Sequence, residues 1–202
     1  MARESDAKER LLRTASDLIW ESSYGSVGVE QICERAGVQK GSFYHFFPSK
    51  SDLAAAAAED HWEKNRADKE RVFSSEVPPL ERLTGWCDLI RRGQARRAEK
   101  KGMVLGCPYS SMGSELSTQD EKIRLKCQEL AERVCALVET AVRAAQREGL
   151  VPKGNAARKA RELYSFAMGV VLQAKIRNDL RVLDGLKPGV LRLLEVREPA
   201  GR

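Results

Sequence analysis

No run of apolar residues in this 202-residue chain approaches the roughly 18–20 needed to span a bilayer. The first residues, Met1-Ala2-Arg3-Glu4-Ser5-Asp6, are charged where a secretory leader turns apolar. The expected location is the cytoplasm, with no membrane partner. Glycine and proline are scarce, at 15 and 7, and β-branched residues are few beside Ala, Leu, Arg and Glu. That balance disfavours a β-sandwich or a doubly wound sheet and predicts an all-α fold. The five cysteines, Cys33, Cys87, Cys107, Cys127 and Cys135, are odd in number and lack C-x-x-C spacing. A disulfide framework and a zinc site are therefore not expected. Only two histidines occur, no glycine-rich nucleotide loop is present, and His61 beside Trp62 has no second ligand at metal spacing. The reading is a non-enzyme with no catalytic residue, no metal and no cofactor.

What is abundant is charge. The chain carries a formal +6, yet residues 1–50 hold seven basic and seven acidic side chains and are neutral as a block. The densest basic stretch is Arg91-Arg92-Gly93-Gln94-Ala95-Arg96-Arg97-Ala98-Glu99-Lys100-Lys101, which reads as a solvated helix face. Net charge alone does not identify a partner.

The N-terminal pattern is more informative. Leu11, Leu12, Ala15, Leu18 and Ile19 recur at helical spacing, with Ser5 or Asp6 available as N-cap, and predict a helix ending near Tyr24-Gly25. Val29, Ile32, Cys33 and Ala36 predict a second, two-turn helix between an N-cap at Gly28 and a left-handed C-cap at Gly37. A third short segment, Val38 to Phe47, is stopped by Pro48, and Ser49 is placed to cap a fourth helix from Lys50. Two short helices joined by a tight glycine turn behind a supporting helix make a tri-helical helix-turn-helix. Its second short helix would lie in the major groove of double-stranded DNA, with Gln39, Lys40, Ser42 and His45 able to reach base edges or phosphates. Phe43 and Phe47, spaced i and i+4, are expected to pack inward, leaving Tyr44 and His45 outside.

Ala15, Gly25, Ile32, Ala36-Gly37-Val38, Gly41-Ser42-Phe43-Tyr44-His45-Phe46-Phe47 and Ser49-Lys50-Ser51-Asp52-Leu53 resemble the TetR-type transcriptional regulators. The resemblance implies a homodimeric, ligand-responsive DNA-binding regulator, most simply a repressor released by a small-molecule effector and reading a palindromic operator. It implies a DNA-binding domain over 1–53 and an effector-binding and dimerisation domain over 54–202. Carried over, Gln39, Lys40 and Ser42 face the groove, Tyr44 and His45 touch phosphate or bases, and Lys50 meets a phosphate. Phe46 departs from the pattern, because relatives often place a polar aromatic there.

Beyond Lys50 the pattern predicts long helices: 50–75, 79–101 opened by Pro78-Pro79, a short one after Pro108, and 119–148. Asn155 caps another at 156–181, and Pro188 opens a last short one. From Leu163 to Ile176 apolar residues occur on both sides, in a stripe of Leu163, Phe166, Ala167, Val170 and Ala174 and another of Tyr164, Met168, Val171 and Leu172. A helix apolar all round needs two partners, and a second copy of the chain is the expected one, with Ala167 and Gly169 allowing close approach. Effector candidates are Trp86, Ile90, Leu105, Cys107, Tyr109, Met112, Tyr164 and Met168, drawn from a wider apolar set that includes Trp62, Leu89 and Phe166.

Cys107 stands apart. Pro108 at the first position of a helix would put Cys107 at its N-cap, where the dipole favours a thiolate, and Lys100, Lys101 and Lys175 are candidate cationic neighbours. Gly106-Cys107-Pro108, followed by Glu115-Leu116, is similar to a branch of the family in which some members sense electrophiles or oxidants through a cysteine. The alternatives are thus a thiol-sensing repressor and a small packing residue. Cys33, Cys127 and Cys135 read as buried packing residues.

Overall fold

The computed structural model describes residues 2–196, with side chains from residue 6. Its helices are α1 (Ala2–Glu21), α2 (Val29–Ala36), α3 (Lys40–Phe46), α4 (Lys50–Lys64), α5 (Arg66–Val72), α6 (Pro79–Lys101), α7 (Pro108–Leu116), α8 (Glu121–Arg147), α9 (Ala156–Arg177) and α10 (Leu186–Leu193). A 3₁₀ turn, Leu180–Gly185, precedes α10. No strand occurs among the described residues, so the fold is all-α. None of these helices is long and apolar enough to cross a membrane. The chain divides into two compact units: Met1–Asn65 with Pro108–Ala131, and Arg66–Cys107 with Glu132–Arg202.

In the first unit α1 packs against α2, α3, α4 and α7. Leu11, Ala15 and Leu18 of α1 meet Ile32, Cys33 and Ala36 of α2, Phe43 of α3, and Leu53 and Ala57 of α4. Burying a side chain such as Phe43, fully enclosed here, stabilises by about 1.5–3 kcal/mol. Gly28 stands in extended conformation before α2, and Gly37 closes that helix at φ +62°. There the Gly37 N–H donates to the Glu34 carbonyl (3.1 Å) and the Val38 N–H to the Cys33 carbonyl (2.9 Å). A side chain with Cβ would resist this left-handed turn.

The first helix differs at both ends from its sequence pattern. Asp6 lies inside α1, paired with Arg10 at 3.2 Å, and is no N-cap; the Ser5 side chain lies outside the described residues. At the other end α1 stops at Glu21, because Ser23 and Ser26 bond each other's hydroxyl and backbone groups and turn the chain early. The predicted 50–75 helix is two: α4 ends at Asn65, whose Nδ2 donates to the His61 carbonyl (2.7 Å), and α5 restarts at Arg66. A side chain that competes for main-chain carbonyls interrupts a helix without glycine or proline. Ser49 caps α4 as expected, its hydroxyl accepting from the Asp52 N–H at 3.1 Å and donating to the Asp52 carboxylate at 2.6 Å.

In the second unit α6 packs on α5, α10 and the 3₁₀ turn, and α9 on that turn and α10. Leu83, Trp86 and Cys87 of α6, Val138, Ala141, Val142 and Ala145 of α8, and Leu163 and Ala167 of α9 form its main core with Leu186 and Val190 of α10. Asn155 caps α9 by accepting the Arg158 N–H at 2.9 Å. That helix ends at Arg177, four residues early, because Asn178 adopts φ +48° and its Oδ1 accepts the Val104 N–H (2.8 Å). Pro188 is the third residue of α10, which begins at Leu186.

The two-sided reading of α9 is refined. Leu163, Ala167, Val171 and Ala174 form the buried stripe, so Val171 belongs with the inner face and Ala167 is enclosed within its own unit. Gly169 is exposed, as are Leu172 at 52% and Ile176 at 66%. A Cβ on Gly189 would run into the Phe166 ring, which is how α9 and α10 approach closely.

Candidate DNA-binding surface and effector residues

The candidate recognition segment is built by an inward and an outward face of one short helix. Phe43 and Phe47 are buried, with ring centroids 6.1 Å apart, and anchor α3 to the core. Gln39, Lys40, Ser42, Tyr44 and His45 all face solvent, Tyr44 at 50% exposure. Its ring stands edge-on to Phe43 at 5.0 Å, so an exposed aromatic is held in place by a buried one. Phe46 is half-buried between His45 and Phe47.

Two lysines of the candidate set are already engaged. Lys40 Nζ donates to Glu30 Oε1 at 2.7 Å, across from the first residue of α3 to the first turn of α2. Their hydrogen bond lowers the Glu30 carboxyl from its ordinary value and raises Lys40. Lys50 is half-buried: its Nζ donates to the Tyr24 and Val27 carbonyls, each at 3.0 Å, and sits 3.9 Å from the centre of the Tyr24 ring. Burial lowers its pKa. Two of its three protons thus hold the α1–α2 loop.

The same loop is held from the other side by residues whose role the sequence pattern did not disclose. Glu115, near the end of α7, accepts from the Tyr24 N–H (3.1 Å) and the Gly25 N–H (2.7 Å). Tyr24 shares a hydrogen bond with Ser51 (3.0 Å), and Ser51 donates to Asp120, whose other oxygen accepts the Ile123 N–H (3.0 Å) at the start of α8. Lys122 bonds Asp52. Hydrogen bonding by Ser51 is the main cause that lowers the Asp120 carboxyl. Apart from the local Asp120–Ile123 bond, these contacts span 27 to 91 residues of chain, beyond the reach of any local pattern.

Of the effector candidates, Trp86 and Tyr164 belong to the main core of the second unit, where Tyr164 is only partly buried. Ile90 and Met168 border both that core and a smaller one of Val104, Val171, Ala174 and Leu183, against which Cys107 also packs. Leu105 is buried. Tyr109 and Met112, both buried on α7, belong to the first unit, and the Tyr109 ring lies 5.9 Å from His61. The eight therefore do not form one cluster within either unit.

The segment leading to Cys107 is clamped by Gln94, a member of the basic stretch whose sequence reads as a solvated face. Gln94 is instead buried on the inner stripe of α6, and its amide accepts from the Gly106 N–H (3.1 Å) and donates to the Gly106 carbonyl (2.9 Å). Its helical spacing from Leu83, Trp86, Cys87 and Ile90 was the available signal. Gly106 stands at φ +77°, and a Cβ there would come within 2.9 Å of Lys175 Cδ. Cys107 is half-buried, as is Cys135; Cys33, Cys87 and Cys127 are buried, and burial pushes the Cys87 thiol up to about 12.

Comparison with known proteins fits this architecture. The family described as bacterial regulatory proteins, tetR family, matches residues 11–57, and the tetracyclin repressor-like C-terminal domain matches residues 79–187. The chain is 27% identical over 183 residues to the HTH-type transcriptional repressor NemR of Escherichia coli K12, covering 90% of each. It is also 27% identical over 190 residues to an HTH-type transcriptional regulator in the lacX 3' region of Lactococcus lactis, covering 89% of this chain and 88% of that one. The crystal structure of reduced E. coli NemR superposes with a TM-score of 0.82 at 25% identity, over 97% of this chain and 100% of that chain. Regulatory protein TetR from Rhodobacter sphaeroides does so at 0.83 and 26% identity, over 93% and 98%. The chain belongs to the tetR family of bacterial regulatory proteins and is a ligand-responsive, DNA-binding transcriptional regulator.

Proposed function

We propose that the protein is a homodimeric repressor that binds a palindromic operator through the α3 surface and leaves it when a small molecule binds the C-terminal helices. The observation that carries this is the solvent-facing row of Gln39, Lys40, Ser42, Tyr44 and His45 on a helix locked by buried Phe43 and Phe47. Residues 1–53 supply DNA binding and 54–202 the effector and dimer functions. Half-buried Ile90, Tyr164 and Met168 and buried Trp86 and Leu105 are the effector contacts proposed in the second unit. Exposed Leu172 and Ile176 on α9, with Leu193 on α10, support a self-complementary apolar face for the second copy.

A duplex selected by the wild-type protein from a random library provides the test. Binding falls steeply with salt and weakens in Tyr44→Ala, and the protein sediments as a dimer at micromolar concentration. A flat salt response, or a Tyr44→Ala variant that binds as wild type does, overturns the proposal.

A second reading, thiol sensing at Cys107, is supported by the clamped Gly106 turn beside Lys175 and by the neighbouring E. coli structure being described as a reduced form. Alkylation of Cys107 followed against pH decides it. Reaction no faster than a free thiol, with an apparent pKa near about 8.5, refutes it.

A further inference from the structure

The basic stretch on α6 is more than a solvated face. Between α5 and α6 the second unit opens a cleft of about 640 Å³, lined by Asp68 and Arg71 of α5 and Leu89, Arg92, Ala95, Arg96 and Glu99 of α6. That volume falls in the range of roughly 300–1,000 Å³ usual for small-molecule sites. We propose that this cleft binds a small organic anion, a phosphate monoester or carboxylate with an apolar body, gripped by Arg92 and Arg96.

Three observations support that assignment. Arg92 and Arg96 are one helical turn apart on the same face, where like charges repel, and their side chains make no ion pair or hydrogen bond among the described residues. Glu99, three residues past Arg96, leaves it unpaired although the spacing would permit a bridge. Arg71 is by contrast already engaged, bonding Asp68 at 2.7 Å, so the cleft presents one satisfied and two open guanidinium forks. Guanidinium donors match the oxygens of phosphate and carboxylate in pairs, which fixes the class of the ligand's head. Leu89 and Ala95 supply the apolar strip beside them, which favours an organic body over a bare ion. None of the effector contacts proposed above lines the cleft, so this proposal stands or falls apart from them.

Thermal unfolding of the full chain at constant ionic strength, with phenyl phosphate, inorganic phosphate or benzyl alcohol added, tests the site. A ligand that binds only the folded chain raises the midpoint with concentration. Phenyl phosphate is expected to raise it most, inorganic phosphate less, and benzyl alcohol not at all. Arg92→Gln and Arg96→Gln should each weaken phenyl phosphate binding by about tenfold or more, the scale of a lost charge-assisted hydrogen bond. Arg91→Gln removes the same charge from the same helix, but Arg91 bonds Asp184 at 3.0 Å outside the cleft and should leave binding unchanged. Equal shifts from inorganic and phenyl phosphate, or an Arg91→Gln loss as large as those of Arg92→Gln and Arg96→Gln, would overturn the proposal. Both outcomes would mark unspecific attraction to a basic surface.

Discussion

The two units are held together by different means. The first joins segments far apart in sequence with directional polar contacts around one loop: Glu115 to the Tyr24 and Gly25 N–H groups, Lys50 to the Tyr24 and Val27 carbonyls, and Ser51 to Asp120. The second relies on a larger apolar core drawn from α6, α8, α9 and α10. A surface proposed to meet groove and phosphates in register would benefit from bonds that tolerate little angular error. Apolar packing, non-directional by nature, suits the helices proposed to accommodate an effector.

The comparison can be broken most severely through the anchors. Phe43→Ala is expected to cost about 3–5 kcal/mol and Leu163→Ala about 2–5 kcal/mol, read from urea unfolding. Only the first should abolish binding of a selected duplex under conditions where both variants remain folded. If Leu163→Ala loses DNA binding equally while folded, the division of labour between the units is wrong.

Glu115→Ala tests the polar loop directly. It leaves two N–H groups without their carboxylate, a loss of about 1–3 kcal/mol. Amide exchange should accelerate over residues 22–28 while the core amides of α9 keep their protection. Uniform acceleration throughout the chain would show that the loop does not open on its own.

Glu30→Gln should act in the opposite direction. On the proposed contact, Lys40 leaves or shares Glu30 to meet DNA, so removing the carboxylate should tighten binding, by up to about tenfold, and steepen the salt dependence by about 0.9 for each further phosphate neutralised. Thermal stability should hardly move, since the pair is exposed. A tightening of equal size in a Lys40→Ala background would mean that Glu30 acts by general repulsion alone.

The smallest effect concerns acid. Asp120 has a folded-state pKa below its unfolded value, mainly through Ser51, so its ionised form contributes stability above the ordinary carboxylate range. That contribution is lost as pH falls through the folded value, and Asp120→Asn should flatten the decline below the ordinary aspartate value of about 3.9. An unaltered acid profile in the variant would remove Asp120 from the account.

Much of the first unit was legible because its signals are local. Gly37 marks a left-handed turn, Pro48 denies an N–H, and Ser49 caps α4 through an N–H three residues away, so neighbouring residues settle each feature. Phe43 and Phe47 point inward for the same reason, since their spacing places them on one face. The break at Asn65 is not written in the local pattern, because asparagine tolerates helix and only its bond to the His61 carbonyl marks the stop.

The amino-acid order by itself determined the helical class, the caps at Gly37, Ser49 and Asn155, the position of the short helix α3 and the family. Tertiary structure alone decided which polar groups meet: that Lys50 turns to two carbonyls, that Glu115 reaches a loop some 90 residues away, and that Gln94 clamps Gly106. It also decided that Arg92 and Arg96 line a cleft. Caps and turns depend on the nearest few residues, whereas a polar partner is chosen by distance in space, which no periodicity along the chain encodes.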